Sequence, residues 1–184
     1  VKPGTVYSPK CQGTVWSVIS LAQMGGSIEE DKRIGTACAY LLNHGMAKGG
    51  QFSSTGDASK TFNCLQGNMI TALMDMGCKD DRLDTAYEWT ARTVTGEGLP
   101  MKVTSDGSAT ADNSTSLLHP LPYITGPLFA CRSTHHCAWA GAKEMLAFSR
   151  LQAERRTPLI KQAIRAGVNY FFTADPATAV FPGQ

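Results

Sequence analysis

Apolar positions in the first half of the chain fall into runs with a helical period. Val15, Val18, Ile19 and Ala22 recur at i, i+3, i+4 and i+7, one face of a helix from Val15 to Met24. Gly25 and Gly26 end it, because glycine accepts the left-handed conformation that closes a helix. Ser27 and Glu30 read as an S-x-x-E capping box for a second helix. That helix carries Ile34, Ala37, Cys38 and Leu41 on its apolar side and reaches about Asn43. The Gly/Ser-rich stretch AKGGQFSSTGDASK then reads as a loop. Leu65, Met69, Ala72, Leu73 and Met76 mark a third helix, ended by Gly77. Asp80 or Asp81 can cap a fourth, with Leu83, Ala86 and Tyr87, extending to about Arg92.

A polar segment of about 95–122 shows no periodicity, and a loop of that length is usually functional or mobile. A fifth helix begins near Ala138 with Trp139, Ala142, Met145, Leu146 and Phe148. Thr157 and Pro158 form an N-cap and first-turn pair for a sixth. Ile160, Ala163, Ile164, Gly167, Val168 and Phe171 give it an apolar side, and Asp175-Pro176 stops it.

The pattern echoes itself. L-A-Q-M-G-G at Leu21 to Gly26 resembles L-M-D-M-G-C at Leu73 to Cys78, about 52 residues on. Asp31-Lys32-Arg33-Ile34 resembles Asp80-Asp81-Arg82-Leu83, and Ala39-Tyr40 resembles Ala86-Tyr87. A two-helix repeat of this period marks a stacked hairpin array, in which neighbours cover faces that one hairpin cannot bury alone. The first helix of each pair is apolar nearly all round and is expected inside; the second is amphipathic and is expected outside. The expected fold is therefore all-α. One domain spans 1–184, with hairpins at about 12–48, 62–94 and 131–174 and the polar loop between the second and third.

The unit of apolar helix, M-G-G or L-G, D-x-R-hydrophobic, helix and G-G-Q-F resembles the repeats of the terpenoid cyclase and protein prenyltransferase α/α toroids. Gly49-Gly50-Gln51-Phe52 is the part most similar to the repeat ending of squalene-cyclase-like proteins. The resemblance covers about residues 12–94 and 125–175. It implies a ring of parallel inner helices surrounded by outer helices running the other way. Such a ring takes five to seven hairpins, and this chain supplies three. An incomplete ring implies either a missing C-terminal half or a homodimer of six hairpins that covers the open edges. The resemblance also implies an apolar, isoprenoid- or lipid-like small-molecule ligand. The cyclase acid motif D-x-D-D does not occur.

Composition narrows the alternatives. Apolar residues make up 42% and charged residues 17%, and the formal net charge is +2. No Lys/Arg stripe provides a nucleic-acid footprint, and no apolar run approaches the ~18–20 residues of a membrane span. The start VKPGTVYS, with neither Met nor a signal-like apolar stretch, points to a product trimmed from a longer chain. Six cysteines without framework spacing suit a reducing, cytoplasmic compartment. Cys38 and Cys78 then read as small core hydrophobes.

Four cysteines hold equivalent places: Cys11 before the first inner helix, Cys64 at the start of the second, Cys131 and Cys137 before the third. Parallel inner helices would gather these sulfurs at one end, where partial positive charge favours thiolates. With His135 and His136 they form the candidate zinc ligands, since zinc takes four Cys or His ligands in a tetrahedron. Inert buried thiols or one disulfide are the alternatives. Arg132 beside the histidines can take an anionic head group at a helix N-terminus. Trp16, Trp139 and Phe62, near the same end, either line an apolar pocket or belong to the core. Asp80-Asp81-Arg82-Leu83-Asp84 matches a D-D-x-x-D magnesium string, although caps for an outer helix account for the same acids. Three roles follow: a ligand-binding module with a cysteine-rich zinc site, a metal-dependent transferase or hydrolase with an open zinc position, or a structural assembly domain with a closed one.

Overall fold

The computed structural model describes residues 6–8, 12–56, 61, 63–95, 137–175 and 177–178, together with the backbone of 101–103 and 109–111. The fold is all-α in character. Helices α1 (Thr14–Gln23) and α2 (Lys32–Gly45) form the first hairpin, and α3 (Asn63–Asp75) and α4 (Arg82–Thr95) the second. Two three-residue strands follow, β1 (Met101–Val103) and β2 (Ala109–Ala111). They pair antiparallel with Lys102 opposite Thr110, so the aperiodic polar segment holds a short ribbon that periodicity did not reveal. The last hairpin is α5 (Ala138–Arg150) and α6 (Pro158–Phe171), joined through a single 3-10 turn at Ala153–Arg155.

The turns explain why the hairpins form. Gly25 and Gly77 hold φ of +83° in the two turns that the echo aligns, a conformation that a side chain would strain. The echoed D-x-R triplets are working caps. Asp31 Oδ1 accepts the Arg33 N–H at 2.9 Å, and the Arg33 guanidinium returns to Asp31 Oδ2 at 2.6 Å. Asp80 Oδ1 accepts the Arg82 N–H at 3.0 Å, and Arg82 returns to Oδ2 at 2.8 Å. Each carboxylate satisfies an orphan donor of the first turn. The expected capping box at Ser27 and Glu30 is therefore corrected. Ser27 accepts the Glu29 N–H inside the turn, and the cap of α2 falls four residues later, at Asp31. Thr157 caps α6 through the Ile160 N–H at 3.2 Å, with Pro158 as its first residue. That helix ends at Phe171, before Asp175.

Helices α1, α3 and α5 lie side by side with α3 in the middle, and each second helix of a hairpin packs against its own first. Neighbouring contacts fix the directions. Gly67 in the first half of α3 abuts the backbone of Lys143 and Glu144 in α5, and Asp75 at the end of α3 bonds Arg150 at the end of α5. These two helices therefore run the same way. The turn after α1 meets the end of α3, where the Ile28 N–H bonds Met76 O at 3.0 Å. The layer of α4 and α6 runs opposite. Tyr87, early in α4, donates to Ala147 O at 2.9 Å near the end of α5, and Thr157 at the start of α6 reaches Glu88. The core lies between the layers around Met69, Ile70, Leu73, Tyr87 and Phe148, all buried. The middle helix α3 is buried on most of its circumference, as expected of the first helix of a pair. Helices α1 and α5 are not: α1 buries only Val15 and Val18, and α5 exposes Trp139 and Leu146, because each has an inner neighbour on one side only among the described helices.

The G-G-Q-F stretch ties the first hairpin to the second. Gly50, at φ +94°, lies so close to α4 that a Cβ there would meet Thr85 Cγ2 at 2.5 Å. Phe52 is buried, and its backbone is held by the Gln66 side chain: the Phe52 N–H donates to Oε1 and Nε2 donates to Phe52 O, both at 2.6 Å. A side-chain amide thus replaces a neighbouring strand and satisfies two buried backbone groups.

Candidate functional site

Two of the four aligned sulfurs can be followed. Cys64 lies in the first turn of α3 and Cys137 is the N-cap residue of α5, its Sγ accepting the Ala140 N–H at 3.4 Å. The parallel packing brings both to the same end of adjacent helices, as the alignment of hairpins requires. Cys11, Cys131, His135, His136, Arg132 and Phe62 lie outside the described residues. Among the described residues no group of three Cys, His, Asp or Glu is placed to hold a metal ion. None of the four described cysteines, Cys38, Cys64, Cys78 and Cys137, is joined in a disulfide. Burial pushes the Cys38 thiol up to about 11, with the neighbouring Cys78 adding to the shift, and burial also raises Cys78. Both shifts suit the expected role of small core residues.

The magnesium reading of Asp80, Asp81 and Asp84 meets competing partners. The Arg82 hydrogen bonds hold the Asp80 carboxyl down at about 2, and Asp84 is bonded to Arg155 of the next hairpin. Two of the three carboxylates therefore each carry an arginine, which supports their alternative role as caps and ties.

Three stripes of side chains share one register across the parallel helices. In α3 the less buried positions Cys64, Asn68, Thr71 and Asp75 recur at i, i+4, i+7 and i+11. In α5 the same spacing selects Trp139, Lys143, Leu146 and Arg150, and in α1 it selects Trp16, Ile19 and Gln23. Between the C-terminal halves of these stripes lies a groove of about 330 Å³, near the lower end of the ~300–1,000 Å³ usual for small-molecule sites. Ile19, Ala22, Ala72 and Leu146 give it apolar walls. Gln23, Asn68 and Thr71 add uncharged polar groups, and the Asp75–Arg150 ion pair closes one end.

The two tryptophans are held differently. Trp16 Nε1 donates to Tyr7 O at 3.2 Å, and its ring packs on Tyr7 at 5.2 Å, so it pins the stretch before α1 against the helix. Trp139 is 66% exposed on the same stripe as Leu146, with Lys143 Nζ 4.2 Å from its ring centroid. Of the expected ligand-binding residues, Trp139 is thus open to a ligand, whereas Trp16 is engaged in holding the chain.

Sequence reading missed the polar groove residues and a second feature, a set of buried polar side chains. Gln51, Asn63, Gln66 and Glu144 are essentially inaccessible. Glu144 sits beside the Gly67 contact, and a buried carboxylate is retained only where it is paired or neutral. The available signal was the occurrence of Asn63, Gln66, Asn68 and Thr71 inside an otherwise apolar helix. No protein-family model matches this chain, and neither a curated protein nor a solved structure matches it.

Proposed function

We propose that the chain is a ligand-binding module of the prenyltransferase- and terpenoid-cyclase-like α/α toroid type, taking an apolar, isoprenoid- or lipid-like small molecule in the groove of its inner helices. The observation that carries the reading is the common register of the α1, α3 and α5 stripes, which line a groove with Ile19, Ala22, Ala72 and Leu146 as its apolar walls. Trp139, on the Leu146 stripe, offers further apolar surface beside it. Calorimetric titration with farnesol tests the reading. Saturable binding is expected, and Leu146→Arg, a change at an exposed position, is expected to weaken it at least about tenfold. Absence of saturable binding, or an affinity unchanged in that variant, sinks it.

The proposal includes a zinc site at the N-terminal ends of the inner helices, with Cys64 and Cys137 as two ligands and Cys11, Cys131, His135 and His136 supplying the others. Support comes from the N-terminal placement of Cys64 and Cys137 on adjacent parallel helices. Zinc held there by four protein ligands would brace the helix ends, whereas three ligands and a water would make the site a candidate for transfer or hydrolysis. Metal analysis with thiol titration before and after chelation distinguishes these roles, and six reactive thiols with no metal would remove the site. The same proposal covers a cytoplasmic location and a second copy that completes the ring. The last hairpin exposes Val168 at 42% and Phe172 at 75%, one helical turn apart, an apolar pair that supports an additional partner. A strictly monomeric mass by light scattering at micromolar concentration would exclude the two-chain ring.

A further inference from the structure

The groove is electrically balanced. Among the described residues that line it, the charged side chains are Asp75 and Arg150, and they are bonded to each other. Arg150 Nε donates to Asp75 Oδ1 at 2.6 Å and Nη2 donates to Oδ2 at 3.2 Å. Arg150 also forms a wall of a second cavity, about 440 Å³, at the C-terminal ends of the helices. There Asp80 is paired with Arg82 and Arg155 with Asp84, and Lys79 stands with Asp81, so positive charge is not in excess on either side of Arg150. The remaining polar side chains along the groove are those of Gln23, Asn68 and Thr71. The Thr71 oxygen is covered and has no hydrogen-bond partner among the described residues. Threonine in a helix uses two χ1 wells, and moving between them exchanges hydroxyl and methyl. Turned toward the groove, this hydroxyl would find its partner on a ligand.

We propose that the groove selects an amphipathic ligand with an uncharged, hydroxylated head, an alcohol, over one with a phosphate or carboxylate head. The inference rests on the apolar-ligand reading above and narrows it. A hydroxyl both donates and accepts, which matches Thr71 and the Asn68 amide. A diphosphate or carboxylate lacks a donor and adds negative charge beside Asp75. To reach Arg150 it must also displace a carboxylate that already holds the guanidinium fork. The alcohol leaves that pair intact and fills the polar middle of the groove.

Calorimetric titration of the whole chain with farnesol, farnesyl diphosphate and farnesoic acid, which share one tail, reads the preference directly. Farnesol is expected to bind at least about tenfold more tightly than either anion. A smaller ratio or a reversed order, with binding present, overturns the head-group assignment and leaves the apolar-ligand reading standing. Absence of saturable heat with all three removes both. Two variants sharpen the test. Thr71→Val keeps the shape and removes the hydroxyl, and is expected to weaken farnesol several-fold while leaving the anions unchanged. Asp75→Asn frees Arg150 and is expected to move the preference toward the anions. Retention of the original preference in both variants overturns the assignment.

Discussion

The two halves of the α3–α5 contact are held by different means. In the first half the backbones touch at Gly67, where a Cβ would run into the main chain of Lys143 and Glu144, and the adjacent Gln66 amide is locked onto buried Phe52. In the last turn the same two helices are joined by Asp75 and Arg150, partly exposed side chains whose ion pair solvent can replace. The buried half cannot adjust without a shift of backbone or the orphaning of polar groups. The exposed half can exchange partners at little cost, and the groove opens beside it. Rigidity and a candidate binding surface thus occupy successive turns of the same helices.

Substitutions can break this contrast in graded steps. The largest effect is expected from Gln66→Ala, which strands the Phe52 N–H and carbonyl in the core. Each buried orphan costs ~1–3 kcal/mol, so urea denaturation should show a loss of about 2–6 kcal/mol. A loss below about 1 kcal/mol would mean that water reaches Phe52 and that the region is not the rigid half.

Gly67→Ala comes next, at about 1–3 kcal/mol of overpacking, because the obstructing atoms are main chain. Gly167 provides the comparison: a Cβ there meets the flexible thioether of Met145, so Gly167→Ala should cost less than Gly67→Ala in the same denaturation series. Equal losses would refute the distinction between a backbone wall and a side-chain wall.

Asp80→Ala removes the α4 cap and should cost about 1 kcal/mol. Acid gives an independent reading of the same group. Its folded carboxyl titrates near 2, held down chiefly by the Arg82 hydrogen bonds, below its ordinary 3.8. The stabilisation from Asp80 is therefore complete above the ordinary value and is lost as pH falls from about 4 to about 2. Wild type minus Asp80→Ala stability should shrink across that window, and a difference independent of pH would contradict the capping role.

The smallest effect is expected at the exposed half. Arg150→Ala should change stability by less than about 1 kcal/mol, as for other surface pairs, and the change should diminish in salt. A loss comparable to that of Gln66→Ala would erase the contrast between the two halves.

Much of the helical framework was legible in the chain. The i, i+3, i+4 pattern from Val15 located α1 to within a residue, and Asp80 was one of the two acids legible as a cap for α4. The cap of α2 was not legible: the pattern pointed to Ser27, whereas Asp31 holds the Arg33 N–H. Ser27 misled because its short-range pattern also suits a turn, and its hydroxyl bonds the Glu29 N–H there. Cys64 and Cys137 were legible as helix-start residues from their place in the repeat. The groove was not, since Gln23, Asn68, Thr71 and Arg150 come from three helices separated by long stretches of chain. Nor was the importance of Gly67, which within α3 alone is an unremarked mid-helix glycine.

What the amino-acid order determined unaided is local: where helices begin, turn and end, since those choices depend on side chains within a few residues of each other. Which stripe of α3 stays open, which acid meets which arginine, and where a glycine admits a neighbouring backbone were decided only when three hairpins packed in one register. Those relations depend on distances between helices, which no periodicity within a single helix encodes.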